Sequence, residues 1–122
     1  MNKKWNILFI KDDRSPFNLT AEVFNSLFNK VDMTSSKEES LELFNNNRYD
    51  IVIRDISIEP EGVAFLKQLI DIKPEQSIFA FVSPKDSDKL FSIADLGINA
   101  IELTLEQFDK ALETISQFNP YS

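Results

Sequence analysis

The chain contains no cysteine and no histidine. Without cysteine, disulfides, zinc ribbons, iron–sulfur clusters and thiol nucleophiles are excluded, in agreement with a reducing compartment. Without histidine, every His-based triad, most transition-metal sites and any phosphohistidine on this chain are excluded as well. Glycine is nearly as scarce: Gly62 and Gly97 are the only two, too few and too far apart for a dinucleotide-binding turn or a P-loop. Positive charge is also short, with 13 Lys plus Arg against 20 Asp plus Glu and a formal charge of -7. The surface as a whole therefore repels nucleic acid and anionic lipid. No apolar run approaches the roughly 18 to 20 residues that span a bilayer. The basic start is followed only by the short run Ile7 to Ile10 before Lys11, Asp12 and Asp13, which is not a signal peptide. A cytoplasmic protein is expected, with its chemistry resting on carboxylates, hydroxyls and lysine.

What is present fits one domain. At 122 residues, 43% hydrophobic and 27% charged, the chain has the size of a single core over residues 1–122, with no room for an output domain. Apolar runs recur at Ile7 to Ile10, Val31 to Met33, Ile51 to Ile53, Ile78 to Val82 and Ala100 to Leu103. Short runs without alternation suit strands buried on both faces, as in a parallel sheet covered by helices.

The segments between them have helical spacing. Ser15 and Pro16 suit the cap and first position of a helix that places Phe17, Ala21, Phe24 and Phe28 on one face. Ser36-x-x-Glu39 is a capping box ahead of Leu41 and Phe44. A third helix turns Phe65, Leu66, Leu69 and Ile70 inward and stops before Lys73-Pro74. A fourth, from about Ser87 to Leu96, turns Leu90, Ile93 and Ala94 inward and closes on Gly97. A fifth opens with the capping box Thr104-x-x-Gln107 and aligns Phe108, Ala111, Leu112 and Ile115.

Strands and helices alternating in this order give an α/β fold, (βα)5, wound by right-handed crossovers into a doubly wound parallel sheet of strand order 2-1-3-4-5. Ligands bind such a sheet outside the carboxyl ends of the strands, at the switch point between the first and third. The residues there are Lys11-Asp12-Asp13, Arg54-Asp55, Ser83-Pro84 and Leu103-Thr104. Three carboxylates converging at this point repel one another by about 4 kcal/mol per pair at 4 Å in an effective dielectric near 20. Such a cluster calls for a hard cation with oxygen ligands, Mg²⁺ first and Mn²⁺ second. The bland alternative is that Asp12, Asp13 and Asp55 are solvated or capping residues at strand ends.

Together, Asn6-Ile-Leu-Phe-Ile-Lys-Asp-Asp13, Tyr49-Asp-Ile-Val-Ile-Arg-Asp-Ile56, Phe81-Val-Ser-Pro84 and Gly97 resemble, over essentially the whole chain, the signature segments of response regulator receiver domains. The resemblance implies the flavodoxin-like receiver fold, shared with chemotaxis receivers, and a phosphoacceptor in a two-component phosphorelay rather than an enzyme. It implies Mg²⁺ held by Asp12, Asp13, Asp55 and the backbone carbonyl of Ser57, with Asp55 as nucleophile and Ser83 as the hydroxyl switch. The implied partners are a histidine kinase or phosphotransfer protein, and a downstream protein met through the face of helix four, strand five and helix five. Direct contact with nucleic acid or membrane is not implied; a homodimer is compatible. Phe91 is expected to reach that face, and Ile101 to add an apolar spot to it.

Where the family has Lys-Pro, seven and eight residues after the glycine, this chain has Thr104 and Leu105; the switch aromatic is Ile101. Losing the lysine removes a charge-assisted contact typically worth about 1.5 to 3 kcal/mol. Lys85 is the first candidate to replace it, followed by Arg14 and Arg54, although strand alternation turns Arg54 away from the side of Asp55. The alternative function is a pseudo-receiver, an interaction module acting without phosphorylation. A flavodoxin-type electron carrier is disfavoured because Asp12-Asp13 would repel the FMN phosphate. An aspartate-based phosphatase is disfavoured because it needs its two aspartates spaced by one residue.

Overall fold

The computed structural model describes residues 4–11, 21–55, 62–82, 84 and 87–121. Five parallel strands, β1 (Asn6–Ile10), β2 (Lys30–Thr34), β3 (Ile51–Asp55), β4 (Ser77–Val82) and β5 (Asn99–Glu102), form one sheet in the order β2-β1-β3-β4-β5. The order and parallel sense agree with the sequence reading. Register aligns Ile10 with both Thr34 and Arg54, Asp55 with Phe81, and Val82 with Glu102. The carboxyl ends of all five strands therefore lie along one pole of the sheet.

Helices α1 (Ala21–Leu27), α2 (Lys37–Asn46), α3 (Gly62–Ile72), α4 (Lys89–Ala94) and α5 (Phe108–Gln117) cover both faces. Strand alternation divides the core in two. Ile7, Phe9, Ile51, Ile53, Phe79 and Phe81 pack under α1 and α5, with Phe24, Phe28, Phe108, Leu112 and Ile115. Leu8, Ile10, Val52, Ile78, Ala80 and Val82 pack under α2, α3 and α4, with Phe44, Phe65, Leu66, Leu69 and Ile93. Every residue of β3 is buried, whereas the edge strands β2 and β5 are not, which is why β1, β3 and β4 read as unbroken apolar runs. Among the described residues no helix is long and apolar enough to cross a membrane.

Helix ends follow the sequence in part. Ser36 caps α2, its Oγ accepting from the Glu39 N–H at 3.2 Å, while its own N–H donates to Thr34 Oγ1 at 3.3 Å. Gly97 has φ of 80° and donates its N–H to Ala94 O at 2.9 Å; a Cβ there would meet nothing within 4 Å, so the demand for glycine comes from the backbone angle alone. The Ser15-Pro16 start and Phe17 lie outside the described residues. Two details differ from expectation. Ala94 is exposed, because Ile93 takes the covered position on the short α4 and Ala94 sits about 100° further round. A 3-10 turn, Leu105–Gln107, intervenes before α5, so the α-helix proper is preceded by Gln107 rather than by Thr104.

At the amino pole the Tyr49 hydroxyl donates to Asp32 at 2.6 Å, tying the entry to β3 to edge strand β2. Burial, then this hydrogen bond, then the Asp32 charge raise the Tyr49 hydroxyl above its ordinary pKa of 10.0. The linked stability is fully present below the unfolded value. It is lost as pH rises through the folded one, because the unfolded chain releases the proton first. Urea denaturation at about pH 9 and about pH 11 should show a smaller loss of stability for Tyr49→Phe than for the wild type. Equal losses would place the alkaline sensitivity elsewhere.

Candidate functional site at the carboxyl pole of the sheet

Asp55 closes the central strand and is 1% exposed. It lies on the same face as Ile51 and Ile53, toward α1 and α5, as alternation requires. On its flanks, β1 ends at Ile10 and β4 at Val82. Past the ends of the ladders, Lys11 N–H donates to Thr34 O at 2.9 Å and Leu103 N–H to Val82 O at 3.0 Å. Strands in a sheet run about 4.8 Å apart, so the carboxyl ends of β1, β3 and β4 lie side by side. This is the switch point: the connection from β1 goes to one side of the sheet, to β2, and the later crossovers go to the other.

Of the residues assigned to this site from the sequence, Asp55 and Thr104 are described. Asp12, Asp13, Ser57 and Ser83, together with Arg14 and Lys85, lie outside the described residues. Thr104 is exposed; its N–H donates to Gln107 Oε1 at 2.9 Å and its carbonyl accepts from the Gln107 N–H at 3.0 Å. This is the reciprocal half of the expected capping box, set on the 3-10 turn. Among the described residues no group of three or more His, Cys, Asp or Glu is placed to hold a metal. The Asp55 carboxylate is the hard oxygen donor that Mg²⁺ takes, and in that respect the described part of the implied ligand set fits the ion.

Arg54 reaches further than strand alternation alone suggests. It lies on the face opposite Asp55, its guanidinium 5.2 Å from the Phe65 ring centroid, and it is 2% exposed. The side chain nevertheless reaches back along the strand ends. Nη1 donates to the Asp55 carbonyl at 3.0 Å and approaches the Ile10 carbonyl at 3.4 Å. A full positive charge is thus buried directly beside the backbone of Asp55. The sequence signal is a charged residue near the end of an otherwise apolar strand, Ile51-Val52-Ile53-Arg54, and the length of the arginine lets it leave its own face.

The amino pole carries a concavity that the sequence did not foretell. A cleft of about 630 Å³ is bordered by Arg48, Asp50, Lys73, Gln76, Pro120 and Tyr121. Asp50 accepts there from the Asn6 N–H at 2.7 Å and from the Tyr121 hydroxyl. The bond to Asp50, more than burial, raises the Tyr121 pKa. Along β3 this pole is roughly 16 Å from Asp55, five steps of about 3.3 Å.

No family model matches the sequence, and no curated protein does. Solved structures do. A response regulator receiver domain protein from Clostridium thermocellum superposes with a TM-score of 0.71 at 22% identity, over 89% of this chain and 91% of that one. A response regulator from Thermotoga maritima gives a TM-score of 0.68 at 16% identity, over 93% and 98%. NtrX from Brucella abortus gives 0.71 at 16% identity; 93% of this chain matches only 27% of NtrX, one portion of a longer protein. At such identities the likeness speaks for architecture. Combined with the 2-1-3-4-5 order, the two-sided helical cover and the buried aspartate closing β3, it gives the chain the flavodoxin-like fold of response regulator receiver domains.

Proposed function

We propose that this protein is a receiver domain that accepts a phosphoryl group on Asp55 and signals through protein–protein contacts, acting in the cytoplasm and not as an enzyme. One observation carries the reading: a buried carboxylate ends the central strand of a receiver-fold sheet, at the switch point. In the reaction a carboxylate oxygen of Asp55 attacks phosphorus. An O–P bond forms as the bond to the donor breaks, and the departing imidazole of a histidine kinase or phosphotransfer protein takes the electron pair. Asp12, Asp13, Asp55 and the Ser57 carbonyl would hold Mg²⁺, which supplies positive charge to the transferring phosphoryl oxygens. The Ser83 hydroxyl would hydrogen-bond the transferred group.

A surface for the downstream partner is available on α4, β5 and α5. Phe91 is 81% exposed on α4, and Ile101 of β5 is half-buried against the core. The second reading, a pseudo-receiver that binds without phosphorylation, is favoured by Thr104 at the place of the usual lysine. The discriminating experiment is incubation with acetyl phosphate and Mg²⁺ followed by intact mass. A gain of one phosphoryl mass supports the phosphoacceptor; an unchanged mass, with the protein folded, supports the pseudo-receiver.

A further inference from the structure

The energetics of Arg54 demand an explanation. A guanidinium removed from water is costly unless the protein returns what the water gave. Here the return includes the carbonyls that end β1 and β3 and the face of Phe65. An apolar side chain would finish the strand Ile51-Val52-Ile53 without that expense, and the core it enters is otherwise aliphatic and aromatic.

Position supplies the reason. Nη1 lies 3.0 Å from the Asp55 carbonyl oxygen, and one aspartate spans only about 5 Å from that oxygen to its carboxylate. The charge is therefore within roughly 8 Å of the acceptor oxygens. A unit charge at about 8 Å in an effective dielectric near 20 changes the affinity for an anion by roughly thirtyfold. Burial at 2% exposure keeps salt from screening it.

Building on the phosphoacceptor reading, we infer that Arg54 is a positioning residue whose buried guanidinium is the fixed counter-charge of the acceptor site, approaching from beneath the sheet end rather than from β5. The cation offsets negative charge at Asp55 before and after phosphoryl transfer. Because it belongs to the core and hydrogen-bonds backbone, it does so without moving. The site is then permanently compensated, and the residue at Thr104 is released to serve the 3-10 turn.

The test is a beryllofluoride titration at fixed Mg²⁺, followed by ¹⁹F and amide NMR, on wild type, Arg54→Met, Arg54→Lys and the double variant Arg54→Met with Thr104→Lys. Thermal melts establish that each variant is folded. Arg54→Met, similar in volume but neutral, should bind at least tenfold more weakly than wild type. Arg54→Lys, which keeps the charge and loses the planar fork, should remain within about threefold. Thr104→Lys should recover most of the loss in the double variant by supplying a cation from the other side. Equal affinity in wild type and Arg54→Met overturns the inference while leaving the receiver reading intact. So does a loss in Arg54→Lys as large as in Arg54→Met, which would make the role one of hydrogen-bond geometry. Wild type that neither binds beryllofluoride nor gains mass with acetyl phosphate overturns the receiver reading itself, and the inference with it.

Discussion

Asp55→Asn is expected to abolish the phosphoryl adduct formed with acetyl phosphate and Mg²⁺, reading as zero against one phosphoryl mass for wild type. The amide oxygen is a poor nucleophile, and an acyl phosphate cannot form without a carboxylate oxygen to bond phosphorus. The substitution is nearly isosteric, so loss of fold is not the expected cause, and a thermal melt of the variant checks this. Mg²⁺ should raise the wild-type melting temperature, since a ligand bound only by the native state at one hundred times its Kd contributes about 2.7 kcal/mol; the variant should respond less. An adduct that persists on Asp55→Asn would move the nucleophile to another carboxylate.

The largest effect on stability is expected at Phe108. Its ring stands edge-on to Phe81, with centroids 5.4 Å apart and planes at 86°, and to Phe9 at 6.4 Å and 83°. Phe9 in turn meets Phe24 at 5.1 Å. One side chain at the first turn of α5 thus connects two central strands and, through Phe9, α1. Phe108→Ala should cost about 3 to 5 kcal/mol in chemical denaturation, a large fraction of the roughly 6 to 18 kcal/mol expected for a chain of this length. Phe91→Ala, on a side chain 81% exposed, should change stability by less than about 0.5 kcal/mol. The contrast separates a phenylalanine that builds the core from one that lies on the surface.

Much of the architecture was legible because parallel sheets write themselves plainly. Strands covered on both faces become unbroken apolar runs, and Ile7 to Ile10, Ile51 to Ile53 and Ile78 to Val82 mark β1, β3 and β4 to within two residues. Edge strands are weaker signals: β2 contains Lys30 and Asp32, and β5 has two exposed residues in four. The short α4 misled the assignment of Ala94, since one and a half turns carry too few residues to define a stripe. Thr104-x-x-Gln107 marked the right place for a helix start but not the tighter first turn, because the same local hydrogen bonds serve both geometries. At the site, the place of Asp55 at the end of the central strand followed from topology. The reach of Arg54 did not, because alternation fixes where Cβ points and leaves a long side chain free to return over the strand end.

Trp5, the one tryptophan in the chain, immediately precedes β1 and lies 5.9 Å from the ring of Tyr121. It stands at the amino pole, where Tyr121 is bound to Asp50, with the length of the sheet between it and Asp55. Its fluorescence is therefore an optical reporter of whether residues 118–121 stay docked under the sheet. Quenching by Tyr121 should be relieved on clipping those residues, while emission should hardly change when a phosphoryl analogue binds. For the same reason a fluorescent label meant to follow the surroundings of Asp55 belongs on the α4–β5 side, at Phe91.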